Sequence, residues 1–251
     1  MGASVVVEQF SLQASSFARL PGHEEATQRL LDAAGVGPAS RMLDIACGPG
    51  MVACAAARRA CHVTGFDVTP AMIEQARALQ ARLGLANVDW RVGEAGSLPF
   101  EAASFDAVTT RYSCHHFPDP DVVLAEAVRV AKPGARVAIA DMVLPRAQCA
   151  AYDRMERMRD PSHVRTLARE DLVTLAIGAG LRELRCADYL FTVDLGRLMK
   201  ASFPLPGNAE RVREMFEADV GIDRMGLSLR REDGFISLTF PVAIVSGARP
   251  A

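Results

Sequence analysis

The chain has no surplus of either charge. Its 28 Lys and Arg offset 30 Asp and Glu, leaving a formal net charge of -2 and a pI near 6.2. Such a balance carries no electrostatic footprint for DNA or RNA, so no nucleic-acid partner is expected. No uninterrupted apolar run approaches the roughly 20 residues needed to span a bilayer. The N-terminus, Met1-Gly-Ala-Ser-Val-Val-Val-Glu8, has neither the basic region nor the long apolar stretch of a secretory leader. These absences predict a soluble, cytoplasmic protein with no membrane partner. The six cysteines (47, 54, 61, 114, 149 and 186) contain no CxxC pair. Cys47, Cys54 and Cys61 recur every seven residues, but Cys47 falls in a glycine turn and Cys61 near the next strand. They therefore share no helix face. No metal site is expected, and the thiols read as small buried hydrophobes in a reducing compartment. What is present is an apolar half of the composition in 251 residues, enough for one domain with a substantial core.

Apolar patterning organises that core. Residues 1–40 read as a helical preface, with Phe10, Phe17 and Leu20 on one amphipathic segment and 24–34 as a second, stopped by Gly35 and Gly37-Pro38. From Arg41 the pattern alternates: strand 41–46, helix 50–60, strand 62–67, helix 70–83, strand 88–92. It continues with strand 105–111, helix 120–131, strand 135–141, two helices, a strand near 183–193 and a last strand at 235–246. Repeated βα units with apolar strands predict an α/β fold on a parallel, two-sided sheet. The whole chain, 1–251, is expected to be a single domain, with 41–141 as its ligand-binding core. Segments 145–168 and 195–233 break the rhythm and are candidate lids over a substrate. A homodimer contact, or cover for a sheet edge, is the other reading of these inserts.

The most informative segment is Leu43-Asp-Ile-Ala-Cys-Gly-Pro-Gly50, because Asp67 ends the next apolar run. A strand, a tight glycine loop, a helix and an acid about 20 residues on make a nucleoside-binding half-unit. Gly48 and Gly50 would let the backbone approach a ligand closely. The free N–H groups of the helix after the loop would face it. Asp67 can accept hydrogen bonds from both ribose hydroxyls. A dinucleotide is disfavoured, since Ala53 stands where a third glycine would be and Asp44 sits badly beside a pyrophosphate. Asp44 suits a cation, or caps the turn. Thr69-Pro70 signals a helix start, with Thr69 as N-cap.

These motifs, with Gly93-Glu94-Ala95…Leu98-Pro99-Phe100, Arg111-Tyr-Ser-Cys-His115-His116-Phe117, Lys132-Pro133-Gly134 and Asp160-Pro-Ser-His163-Val-Arg165, resemble the class I S-adenosylmethionine-dependent methyltransferases. The resemblance is to the ubiquinone/menaquinone-biosynthesis-like branch that acts on small molecules, and it covers roughly residues 40–185. It implies a Rossmann-like, seven-stranded, mostly parallel sheet with helices on both faces and an antiparallel last strand. It implies S-adenosyl-L-methionine as cofactor, held by Asp44, Ala46, Gly48, Gly50 and Asp67. Val68, Met72, Glu94 and Ala95 would border the adenine, Glu94 replacing the family's commoner Asp, and Arg111 would line the site. Methyl transfer would go to a small-molecule acceptor, aromatic or heterocyclic, by in-line displacement, with alignment and exclusion of water as the main catalytic terms.

A base helps only where the acceptor carries a proton. His115 and His116 leave the fourth strand at the rim where open α/β sheets bind ligands, but adjacent residues point apart, so one alone would face the pocket. His163 is a third base candidate. Phe10, Phe17, Tyr112, His163 and Arg165 are candidate substrate contacts. Two other readings stay open: a cofactor-binding protein catalysing a non-methylating step such as cyclisation, and a non-catalytic binding subunit.

Overall fold

A computed structural model describes residues 3–14, 23–232 and 234–251. Strands that are apolar on both faces must be covered on both, and this requirement explains the layering. In β1 (Arg41–Ile45), Met42 faces one core cluster, while Leu43 and Ile45 face another. Four further strands run parallel to it: β2 (His62–Asp67), β3 (Val88–Val92), β4 (Phe105–Arg111) and β5 (Ala131–Met142). Beyond β5 lie the antiparallel β8 (Phe235–Ala248) and, outside it, β6 (Arg182–Asp194), giving the order β3-β2-β1-β4-β5-β8-β6. The expected seven-strand path with its antiparallel last strand is present. The three-residue β7 (Arg230–Glu232) pairs with β8 and makes the sheet eight-stranded.

One face carries α2 (His23–Ala33), α3 (Met51–Ala57) and α4 (Pro70–Leu83), whose Leu30, Leu31, Val52, Ala53 and Ile73 pack on Met42, Val63 and Trp90. The other carries α5 (Pro120–Val130) and α7 (Arg169–Gly178), with Leu124 and Leu172 against Leu43, Ile45 and Val108. Helix α4 has the expected bounds because Pro70 starts it and Gly84, left-handed at φ 64°, stops it by turning its N–H back to Ala81. Thr69 holds the N-cap position without a side-chain capping bond. Helix α3 is shorter than expected, since Gly50 at φ 81° lies outside it. Cys61 and Cys186 are exposed, against the expectation that all six thiols are buried.

The two inserts pack against each other. Helices α6 (Arg146–Arg159), α8 (Leu195–Lys200) and α9 (Asn208–Ala218) share a third apolar cluster, in which Tyr152 and Met155 meet Leu198, Val212, Phe216 and Leu238. Gln148 ties α6 to the carbonyl of Asp223, and Asn208 ties α9 to that of Met158. At the other end of the chain, α1 (Ala3–Gln13) packs on α4, and Gln9 bonds the carbonyl of Phe203. Among the described residues no helix is long and apolar enough to cross a membrane.

Candidate active site

The strand order reverses between β2 and β4 around β1, and the crevice beyond the carboxyl ends of these strands is where such sheets bind ligands. A cavity of about 420 Å³ occupies it. Its floor is the β1–α3 loop, its flanks are the exits of β2, β3 and β4, and Val6 and Phe10 of α1 cover it. Two non-glycine residues in its wall adopt the left-handed region, Ala46 at φ 52° and Tyr112 at φ 55°. Such strain concentrates where a backbone must present atoms to a ligand.

Asp67 ends β2 with its carboxylate spanning two loops. Oδ2 accepts the N–H of Gly48 at 2.8 Å and Oδ1 that of Thr69 at 2.8 Å. Burial raises its pKa, against these two amides. Each oxygen keeps a second lone pair. Asp44 is 1% exposed; Oδ1 accepts from the Thr109 hydroxyl at 2.9 Å, while Oδ2 has no hydrogen-bond partner. Burial lifts its pKa to about 7, opposed by the Thr109 hydroxyl and the charge of Arg111. Asp44 lines the cavity, and a buried carboxylate oxygen without a partner is costly unless a ligand or water satisfies it.

The glycines of the loop divide by role. At Gly48, φ 52°, a Cβ would meet nothing within 4 Å, so its backbone faces open space. At Gly50 a Cβ would lie 2.6 Å from the Trp90 ring and 2.8 Å from the Ala76 Cβ. Gly50 therefore makes room for Trp90, not for a ligand, and it does not line the cavity. The other residues expected at the cofactor do: Asp44, Ala46, Gly48, Asp67, Val68, Met72, Glu94, Ala95 and Arg111. Arg111 also donates to the Thr27 hydroxyl at 2.7 Å.

The three candidate bases separate in the same way. His116, on the 3-10 turn Cys114–His116, is 9% exposed and lines the cavity, its ring edge-on to Phe10 with centroids 4.9 Å apart. Its Nδ1 lies 3.1 Å from both the carbonyl and the hydroxyl oxygen of Ser162. Burial, with the neighbouring His115, lowers its pKa to about 4, so the ring is neutral at pH 7. His115 turns away and Nδ1 is 2.6 Å from Asp141 on β5. Burial disfavours its charge, but the Asp141 carboxylate outweighs that and raises its pKa. His163 is fully buried with Nε2 2.8 Å from Asp153, and Arg165 is exposed outside the cavity. Neither lines the cavity: Asp153 on α6 engages His163, and Arg165 faces outward. Phe10 and Tyr112 do line the cavity. Phe17 lies outside the described residues.

Among the wall residues that sequence reasoning did not assign to the site are Val6, Thr69, Phe117, Pro118, Asp119 and Val122. Phe117-Pro-Asp-Pro120 offered a signal, since Asp119 caps α5 at the cavity rim. Sequence reasoning also missed Gln13 behind His116, for which local sequence holds no sign, and it noted the Asp160-Pro-Ser-His163 motif without placing Asp160 and Ser162 against His116.

The fold is that of the class I methyltransferases. The methyltransferase domain family matches residues 43–139, from β1 to β5. An uncharacterized methyltransferase, YcgJ of Bacillus subtilis, is 38% identical over 127 residues, 50% of this chain and 50% of that protein. Its crystal structure, 23% identical, covers 91% of this chain and 100% of the other with a TM-score of 0.82. The 2-phytyl-1,4-naphtoquinone methyltransferase of Synechococcus elongatus is 42% identical over 113 residues, 43% of this chain and 48% of the other. The chain thus matches about half the length of these curated relatives. The [4+2]-cyclase SpnF also shares the fold, at a TM-score of 0.63 and 20% identity, covering 90% of this chain and 82% of the other.

Proposed function

We propose that this protein transfers a methyl group from S-adenosylmethionine to a small aromatic or heterocyclic acceptor bearing a protonated nucleophile. The reading is carried by one observation: a single cavity holds both the Asp44–Gly48–Asp67 cradle and the neutral imidazole of His116. The orphaned Oδ2 of Asp44 suits the ammonium of the cofactor, and the free lone pairs of Asp67 suit its ribose hydroxyls. Met72 and Val68 would border the adenine, with Glu94 and Ala95 at its polar edge. Bound S-adenosylmethionine supplies a methyl group already activated on a positive sulfonium.

The chain's own contribution is then alignment, dryness and a proton acceptor. Val6, Phe10, Phe117, Val122 and Val123 give the acceptor an apolar wall, and α1 excludes water above it. A neutral ring nitrogen of His116 takes the acceptor's proton. The quinone-ring acceptor in the name of the Synechococcus relative supports a ring substrate here.

The test is incubation with methyl-labelled S-adenosylmethionine and a panel of phenols, catechols, naphthoquinols and nitrogen heterocycles, read by mass spectrometry. A labelled panel member is expected. Tight binding of S-adenosylhomocysteine without label in any product refutes this acceptor class and moves a non-methylating step to the front.

A further inference from the structure

His116 is held from behind by a chain of groups whose proton positions are determined. Asp160 is 3% exposed and, against its burial, contacts with His116, Arg159, Ser162 and Gln13 lower its pKa to about 2. It is therefore ionised and only accepts. Its Oδ1 takes the Ser162 N–H at 2.9 Å and the Ser162 hydroxyl proton in a short bond. Its Oδ2 takes the Gln13 amide of α1 at 2.9 Å, in a buried contact. With its one proton given to Asp160, the Ser162 hydroxyl can only accept from His116, and the Ser162 carbonyl likewise only accepts. Both lie 3.1 Å from Nδ1. The proton of the neutral ring must then sit on Nδ1. Nε2 has no hydrogen bond among the described residues, and its lone pair is left as the ring's basic site.

We propose that Asp160 and Ser162 are positioning residues that lock His116 in its Nδ1–H tautomer, leaving Nε2 as the acceptor of the substrate's proton. Gln13 couples that lock to the seating of α1 over the cavity. The role given to Nε2 rests on the methyl-transfer reading; the tautomer and its latch do not. Two parts of the chain that do not touch the reacting atoms thereby act on them. The insert sets the tautomer through Asp160, and the N-terminal helix closes the site by binding the other oxygen of the same carboxylate.

The experiment is long-range 1H–15N correlation spectroscopy on the full chain labelled at its five histidines, with His116→Gln used for assignment. At pH 7 the His116 signals should show a protonated Nδ1 and an unprotonated Nε2. A protonated Nε2, or a doubly protonated ring, overturns the proposal and needs no further variant. Asp160→Ala frees the Ser162 hydroxyl to donate to Nδ1, and a clear Nε2–H population should appear. Asp160→Asn, whose carbonyl oxygen can still accept from Ser162, should restore the wild-type pattern. An unchanged tautomer in a folded Asp160→Ala protein removes Asp160 from the role. Gln13→Leu should leave the tautomer alone and raise amide hydrogen exchange in residues 5–13 by about tenfold or more. Unchanged exchange there refutes the latch. Affinity for S-adenosylhomocysteine, measured by calorimetry on the same samples, should stay within about twofold of wild type in all three. Its loss from the wild-type protein would instead refute the cofactor assignment, so the two readings fail separately.

Discussion

Replacing Asp44 by Asn keeps the shape of the side chain and removes a charge that the ligand-free protein holds at a cost. Asp44 is 1% exposed with one oxygen unpartnered, and its pKa stands at about 7 against an ordinary 3.8. A carboxyl whose pKa is raised by folding binds more protons in the native state than in the unfolded one. Its penalty is absent below about pH 4, grows through the window between the two values, and is complete above pH 7, where it amounts to about 4 kcal/mol. Asp44→Asn should therefore stabilise the ligand-free protein at pH 8 by about 2–4 kcal/mol, a rise of roughly 5 °C or more in Tm for a chain of this size. At pH 4 the same variant should gain almost nothing. Affinity for S-adenosylhomocysteine should move the opposite way, falling by about tenfold or more, or about 1.4 kcal/mol. A cationic ligand that ionises Asp44 at pH 7 must also expel about half a proton per site, visible as a dependence of the calorimetric heat on buffer ionisation enthalpy. Thermal melts at the two pH values and titrations in two buffers make the whole test. A variant no more stable at pH 8 than wild type, with unchanged affinity, would show that Asp44 is an ordinary capping residue.

Three further outcomes are expected. Asp67→Ala removes the acceptor shared by Gly48 and Thr69 and should weaken S-adenosylhomocysteine binding more than about tenfold by calorimetry; unchanged affinity would reject its ribose role. His116, with a pKa lowered to about 4, is a base that binds more protons unfolded than folded, so its contribution to stability is whole above about pH 6.5 and lost as pH falls through 4. That loss is about 3 kcal/mol, and denaturant unfolding of His116→Asn should lack it; parallel pH profiles for the two proteins would contradict the neutral buried ring. A Cβ on Gly65 would lie 2.4 Å from the Trp90 ring, so Gly65→Ala should destabilise by about 1–3 kcal/mol. Adding Trp90→Leu should recover about 1 kcal/mol of that in a double-mutant cycle, and strict additivity would refute the clash.

The part of the cavity wall built by the β1–α3 loop and the β2 exit was legible because its signals are local. Asp67 stands at the end of a strand, Thr69-Pro70 and Gly84 bracket α4, and the order of motifs follows the order of strands. Where the reading went astray, the deciding neighbour was remote in sequence. Gly50 looked like a ligand-facing glycine until Trp90, forty residues on, was found against it. His163 looked like a base, but Asp153 on the preceding helix claims its Nε2. That the two inserts pack on each other was not foreseen, because nothing periodic links Tyr152 to Phe216, although they share one apolar cluster. The Gln13–Asp160 contact joins positions 147 apart, beyond any motif.

The placement of β8 has a consequence for how the chain comes together. Strand β6 hydrogen-bonds along its length to β8 and to no other strand of the described sheet, and β8 in turn supplies the outer edge of β5. During synthesis β6 therefore leaves the ribosome well before the strand it needs, and the half-built sheet ends at an open β5. Such an edge invites pairing with other chains. The arrival of residues 235–248 seals both gaps at once. Truncations or stalls that remove this segment should yield aggregation-prone chains, even though every residue of the cavity has already been made.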